Sequence, residues 1–174
     1  MKERILGSIK LSVDTYDQVE SDMSLMKEAI LLLLLSAVAG SIGVLENVGL
    51  FPIVLGFIAW IAYWMVLTLC TYVLGTTLFR VQTTYAQKNQ FVRVMCYAQT
   101  PGLLRIFGLI PGLGLMILVL SLLWQTLASI VGVKHSLNYD SNWRAPVLLI
   151  ISNIPALSMY YVLMIPIKNT LFLG

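Results

Sequence analysis

Residues 47–79 read NVGLFPIVLGFIAWIAYWMVLTLCTYVLGTTLF, a run with no charged side chain. A helix needs roughly 20 apolar residues to cross a bilayer core. The run therefore holds one tilted span with a short lead-in, Pro52 at its start, and is too short for two. The whole chain agrees with this local reading. Its 174 residues are 59% hydrophobic and 11% charged, against about 45–50% and 25% in an ordinary soluble domain. A soluble fold of this length leaves too much surface in water to hide such a sequence. The fold class expected is all-α, a polytopic membrane protein.

Working outward, residues 29–45 form an apolar stretch between Glu28 and Glu46. After the central run comes a polar break, RVQTTYAQKNQ at 80–90, read as a loop or interfacial turn. Residues 91–109 are apolar but carry Arg93, Pro101 and Arg105. A charge at mid-bilayer costs about 2.5–3.5 kcal/mol on insertion scales, so the two arginines are expected to snorkel to opposite surfaces. A re-entrant segment is the alternative. The stretch 110–133 opens on Pro111, which suits a first helical turn. A last stretch, 145–167, opens on Pro146, and Pro155 and Pro166 are expected to kink or interrupt it. Tyr139 and Trp143 before it read as interfacial anchors.

Residues 1–28 hold most of the charge, so they do not resemble a secretory signal. Ile5, Ile9, Val13, Tyr16, Val19 and Met23 recur three or four apart, the spacing of an amphipathic helix. Such a helix lies in the interface or packs under the bundle. The organisation expected is thus a cytoplasmic amphipathic segment, 1–28, and a five-helix transmembrane domain, 29–174. Orientation follows from the eleven Lys and Arg residues. With five crossings, Lys2, Arg4, Lys10, Lys27, Arg80, Lys88, Arg93, Lys134 and Arg144 share one side, and Arg105 and Lys168 take the other. By the positive-inside rule the amino terminus is cytoplasmic and the carboxy terminus outside.

Catalysis needs convergent polar groups, and the sequence offers few. His135 is the single histidine, expected as a solvated loop residue. No cluster has the spacing of a metal site, and no span holds a histidine to activate a serine. Cys70 and Cys96 read as small buried hydrophobes, with a bridge between helices as the alternative. The run GLIPGLG, with Gly108, Gly112 and Gly114, lacks the lysine and hydroxyl of a phosphate loop. It suits close backbone approach or a tight hairpin. Gly40 and Gly43 with Ser36 and Ser41 give the first span a similar small-residue face, for packing within the chain or between copies. The polar residues within or beside the spans are Glu46, Gln99, Thr100 and Asn153. They are the candidates for a midplane site between broken helices.

One block is distinctive: Tyr97-Ala98-Gln99-Thr100-Pro101-Gly102, then Pro111-Gly112-Leu113-Gly114, Trp124, and Gly132-Val133. It resembles the prokaryotic branch of the Yip family (Ypt/Rab-interacting membrane proteins). The opening from Ile5-Leu6-Gly7 to Val19-Glu20 is similar to bacterial members as well. The resemblance implies five spans, a cytoplasmic amino terminus and an outside carboxy terminus; the eight Met and 10% aromatic residues fit ordinary lipid-facing and core positions, so no cofactor is expected. Eukaryotic relatives act in vesicle trafficking, bind small GTPases and each other, and in part shape membranes. Their long cytoplasmic amino-terminal region is missing from this sequence, so GTPase recruitment is not expected. The function expected is that of a non-catalytic scaffold, membrane organiser or accessory subunit. Its partners are the bilayer and another membrane protein or a second copy, with no nucleic acid. The alternative is a small transporter, channel component or lipid-binding protein.

Overall fold

The computed structural model describes residues 1–44 and 50–172. Among these the regular elements are all helical. Seven α-helices follow in chain order: α1 Lys2–Ile9, α2 Val13–Ser21, α3 Met26–Val44, α4 Leu50–Thr76, α5 Lys88–Tyr97, α6 Gly114–Ser136 and α7 Arg144–Phe172. Two 3-10 segments, Met23–Leu25 and Thr100–Leu109, join α2 to α3 and continue α5. Four helices are long and apolar enough to cross a membrane, within Met23–Ile42, Leu50–Thr76, Gly114–Ser136 and Arg144–Ile165. Glu46 lies outside the described residues.

The long helices expose large apolar side chains over much of their length, such as Leu34 and Val38 on α3 and Met65 and Leu69 on α4. Lipid tails are as apolar as leucine, so these faces need no protein cover, and cohesion between spans falls to close packing and hydrogen bonds. α4 runs against α7, while the 3-10 segment Thr100–Leu109 wedges between α3 and α6. Pro155 and Pro166 sit inside α7 without ending it. A proline frees one carbonyl of the preceding turn, and within a bundle the neighbouring helices support such an interruption.

The amino-terminal segment is two short helices rather than one. Leu11 adopts φ +59 between them, and its amide and that of Ser12 bond back to the carbonyls of Ser8 and Gly7. That turn folds α1 against α2. Gly7 is required there, because a Cβ would sit 2.0 Å from Thr15 Oγ1. Tyr16 and Val19 of α2 are fully buried against the bundle, where α2 packs on α5 and α6.

Both arginines of the third stretch depart from the snorkelling expectation: Arg93 is 1% exposed and Arg105 2%. Arg93 donates from Nε to Val19 O (2.9 Å) and from Nη2 to Glu20 O (2.5 Å). It thereby satisfies last-turn carbonyls of α2, which an isolated helix leaves open. His135 is not in a loop but in the last turn of α6, paired with Asp17 and 3.8 Å from Glu20. Tyr139 is buried rather than interfacial, and its hydroxyl donates to Gly75 O at 3.2 Å. Trp143 is exposed, with the Arg144 guanidinium over its ring. Cys70 and Cys96 are both free.

Candidate functional site

The third stretch breaks where its sequence requires it to. α5 opens on a reciprocal Gln87–Gln90 capping box and ends at Tyr97. To continue as α-helix, Pro101 would have to donate an N–H to the carbonyl of Tyr97, and proline has none. The freed carbonyl accepts from Thr100 Oγ1 (2.6 Å) and from Ser8 Oγ of α1 (2.8 Å). The Tyr97 hydroxyl donates to Glu28 Oε1 at 2.5 Å. Glu28 in turn takes both forks of Arg4, Nε at 3.2 Å and Nη2 at 2.7 Å. That carboxylate raises the Arg4 pKa above its ordinary value. Burial acts on neighbouring groups of α2, pushing the Tyr16 phenol up to about 12 and raising the Glu20 carboxyl.

Beyond the break the chain comes very close to its neighbours. A Cβ on Gly102 would lie 2.1 Å from Ser36 Oγ and 2.4 Å from Gln125 Nε2. Gln125 is the hub of a buried polar cluster. Its Nε2 donates to Gln99 O (3.2 Å), Gln99 Oε1 (3.0 Å) and, more weakly, Ser36 Oγ (3.4 Å). Its Oε1 accepts from Arg105 Nη2, while Arg105 Nε donates to Ser121 Oγ at 2.9 Å. The guanidinium lies over the Trp60 ring, 4.1 Å from the centroid. It therefore holds two neutral acceptors and an aromatic face.

Arg105 and Trp60 line a cavity of about 350 Å³ between α3, α4, α6 and α7, with Gly40, Tyr63, Leu157 and Tyr160 among its walls. Next to it, a smaller void of about 50 Å³ is lined by Gln99, Gln125, Tyr63 and Asn153. There the Tyr63 hydroxyl donates to Asn153 Oδ1 at 2.7 Å, and Asn153 Nδ2 to Leu149 O at 2.8 Å. A broader depression of about 900 Å³ lies at the α6–α7 turn, beside Lys134, His135 and Asp140. His135 faces Asp17 and Lys134 bonds Asn142 there.

Of the residues singled out in the sequence, Gln99 and Asn153 do meet, at the small void. Thr100 is buried elsewhere, its hydroxyl spent on Tyr97. Ala98 and Pro101 are buried. Pro111 is not in the first turn of α6; it precedes the helix in a tight turn whose Leu113 amide bonds Ile110 O at 3.1 Å. Proline second and a φ-positive glycine third, Gly112 at +82, make this a type II turn. Gly114 then passes Gly108, where a Cβ would meet Gly108 O at 3.2 Å. Trp124 is partly exposed and its indole donates to Ile9 O at 2.8 Å. Gly132 gives room to Val94 and Tyr16. Sequence reading missed Arg105, Gln125 and Trp60 as a cluster. The available signal was Arg105 itself, a charge in an apolar stretch that either reaches a surface or marks a polar interior.

No curated protein and no solved structure is significantly similar to the chain. A protein-family model, that of the Yip1 domain, matches residues 14–165. That range takes in nearly all of α2, the whole of α3, α4 and α6, α7 as far as residue 165, and the broken stretch with its buried arginines. The chain is thus a multi-pass membrane protein that belongs to the Yip1 domain family.

Proposed function

We propose that this protein is a non-catalytic membrane organiser, a scaffold or accessory subunit that acts through contacts with another membrane protein or a second copy. The observation that carries the reading is where the polar groups of the spans go. Gln99, Thr100, Gln125, Asn153 and Tyr63 bond to one another or to backbone. A transport path through Gln99, Thr100 and Asn153 has little support, since their shared void is about 50 Å³ and Thr100 does not line it. The roles assigned to Tyr97, Ala98, Pro101, Pro111, Gly112, Gly114, Trp124 and Gly132 are structural in this reading: they shape the break, the turn and the α1–α2 dock.

The proposal includes five crossings, residues 1–28 as a cytoplasmic segment, and 29–174 as the membrane domain. Support for the fifth crossing comes from helix ends. Tyr139 and Asn138, just past α6, bond Gly75 in the last turn of α4 and Thr83 in the loop that follows it. α6 begins about 34 Å away at its other end, by the rise of its 23 residues. Residues 88–113 must then carry the chain across that distance. The charge distribution supports a cytoplasmic amino terminus.

Two measurements test this. In a Cys70→Ala, Cys96→Ala background, Gln82→Cys and Leu113→Cys should label from opposite faces of the membrane; labelling from the same face refutes the fifth crossing. A pull-down of the tagged chain in gentle detergent should recover a stoichiometric membrane-protein partner or a second copy. Recovery of a lone monomer from native membranes refutes the scaffold reading.

A further inference from the structure

We propose that the Arg105 cavity binds the anionic head group of a membrane lipid. This goes beyond the scaffold reading and does not depend on it. Arg105 carries a full positive charge at 2% exposure, about 11 Å along α6 from its start if Ser121 marks the depth. Its Nε and Nη2 are spent on neutral acceptors, Ser121 and Gln125. Nη1, the nitrogen nearest Gly40, has no hydrogen-bond partner among the described residues, and Gly40 lines the cavity with it. A Cβ at Gly40 would lie 3.0 Å from Nη1, so the missing side chain makes room for the guanidinium beside α3.

A buried cation without an anion is expensive unless something supplies the charge. No ion pair reaches Arg105 among the described residues. Of the eight acids, Glu3, Asp14, Asp17, Glu20, Asp22 and Glu28 lie in the amino-terminal part, Asp140 lies in the α6–α7 turn at the far end of α6 from the cavity, and Glu46 lies outside the described residues. Trp60 lines the same cavity, and its buried indole N–H has no hydrogen-bond partner among the described residues. Guanidinium and indole N–H together suit an oxygen-rich monoanion such as a phosphodiester.

Size and access select a lipid over a soluble metabolite. About 350 Å³ is at the small end for ligand pockets. It takes a head group but not two acyl chains. Leu122 and Leu157 of its lining are apolar and 38% and 54% exposed. Chains leaving past them would stay in hydrocarbon while the phosphate meets Arg105.

The test uses the full chain purified in a maltoside detergent, with Arg105→Gln and Leu157→Trp beside it. Arg105→Gln removes the charge. Leu157→Trp fills the cavity mouth at a half-exposed position and leaves the polar cluster intact. Each is titrated with short-chain phosphatidylglycerol, phosphatidylcholine of the same chains, and inorganic phosphate. Retained lipid is read by native mass spectrometry and stabilisation by thermal unfolding. We expect one phosphatidylglycerol per chain, preferred at least tenfold over phosphatidylcholine, and at least a tenfold loss of that preference in both variants. Equal retention of the two lipids, phosphate alone matching phosphatidylglycerol, or unaltered binding by Leu157→Trp would each overturn the proposal. Should Arg105→Gln fail to fold, the lipid ratio on the natural chain and the Leu157→Trp result decide it.

Discussion

Gly102→Ala adds one methyl at the tightest point of the bundle. The new carbon would lie 2.1 Å from Ser36 Oγ and 2.4 Å from Gln125 Nε2, against ordinary contacts of 3.4–4 Å. Ser36 Oγ can rotate away at small cost. Gln125 cannot move without loosening its bonds to Gln99 and Arg105. Overpacking costs about 1–3 kcal/mol, and one buried polar group left unsatisfied about 1–3 more, so about 3 kcal/mol is expected. For a chain of this size that lowers Tm by about 6–12 °C. Thermal unfolding in detergent, followed by tryptophan fluorescence, measures it. Ser36→Ala alone should cost under about 1 kcal/mol, because its bond to Gln125 is long at 3.4 Å. Combined with Gly102→Ala it should recover about 1 kcal/mol, since the nearest clash is gone. A Gly102→Ala protein within about 0.5 kcal/mol of the natural chain refutes the reasoning, as does strict additivity of the pair.

Arg93→Met keeps the apolar stem but removes the donors to Val19 O and Glu20 O. Hydrogen bonds to charged groups contribute about 1.5–3 kcal/mol each, so hydrogen exchange should rise across residues 13–21 while α4 and α7 stay protected. Gly112→Ala meets no atom within 4 Å, so its cost is the positive φ alone, about 1–2 kcal/mol; Gly112→Asn should cost less, and the two are compared by Tm. Burial raises the Glu20 carboxyl, with Asp17 adding to the rise and His135 and Arg93 opposing it. The folded chain then holds that proton longer than the unfolded one, so the contribution of Glu20 to stability is fullest at low pH and falls as pH climbs through the glutamate range, opposite in sign to that of Glu28. Glu20→Gln should flatten that part of the Tm–pH curve; an unchanged slope refutes the assignment.

The long spans were legible because their signal is one-dimensional. A charge-free run such as 47–79 has one outcome in lipid, and α4 occupies Leu50–Thr76. Of the amino-terminal apolar series, Tyr16 and Val19 are buried while Val13 and Met23 are exposed, because the chain reverses at Leu11, a leucine in a conformation that L-residues avoid. The arginines were misplaced for a related reason. Sequence alone supplies the nearest surface as a destination, whereas Arg93 finds the end of a helix 73 positions earlier and Arg105 finds two residues of α6. The cluster around Gln125 was invisible because its members come from separate stretches and are unremarkable singly.

The freed carbonyl of Tyr97 ties these pieces together. A proline in a buried helical stretch frees an acceptor that water does not reach, and some donor must be brought to it. Thr100 supplies one locally and Ser8 supplies another from α1. That second bond pins α1 to the broken stretch, while Arg4 on Glu28 and the Trp124 indole on Ile9 O tie it to α3 and α6. The same break turns the chain into the 3-10 segment that carries Gly102 and Arg105. Gly102 lets that segment lie against Ser36 and Gln125, and Gln125 then fixes the guanidinium. The aromatic, proline and glycine positions of the motif are thereby physically linked. They convert one forbidden hydrogen bond into a docked amino terminus on one side and an aimed cation on the other.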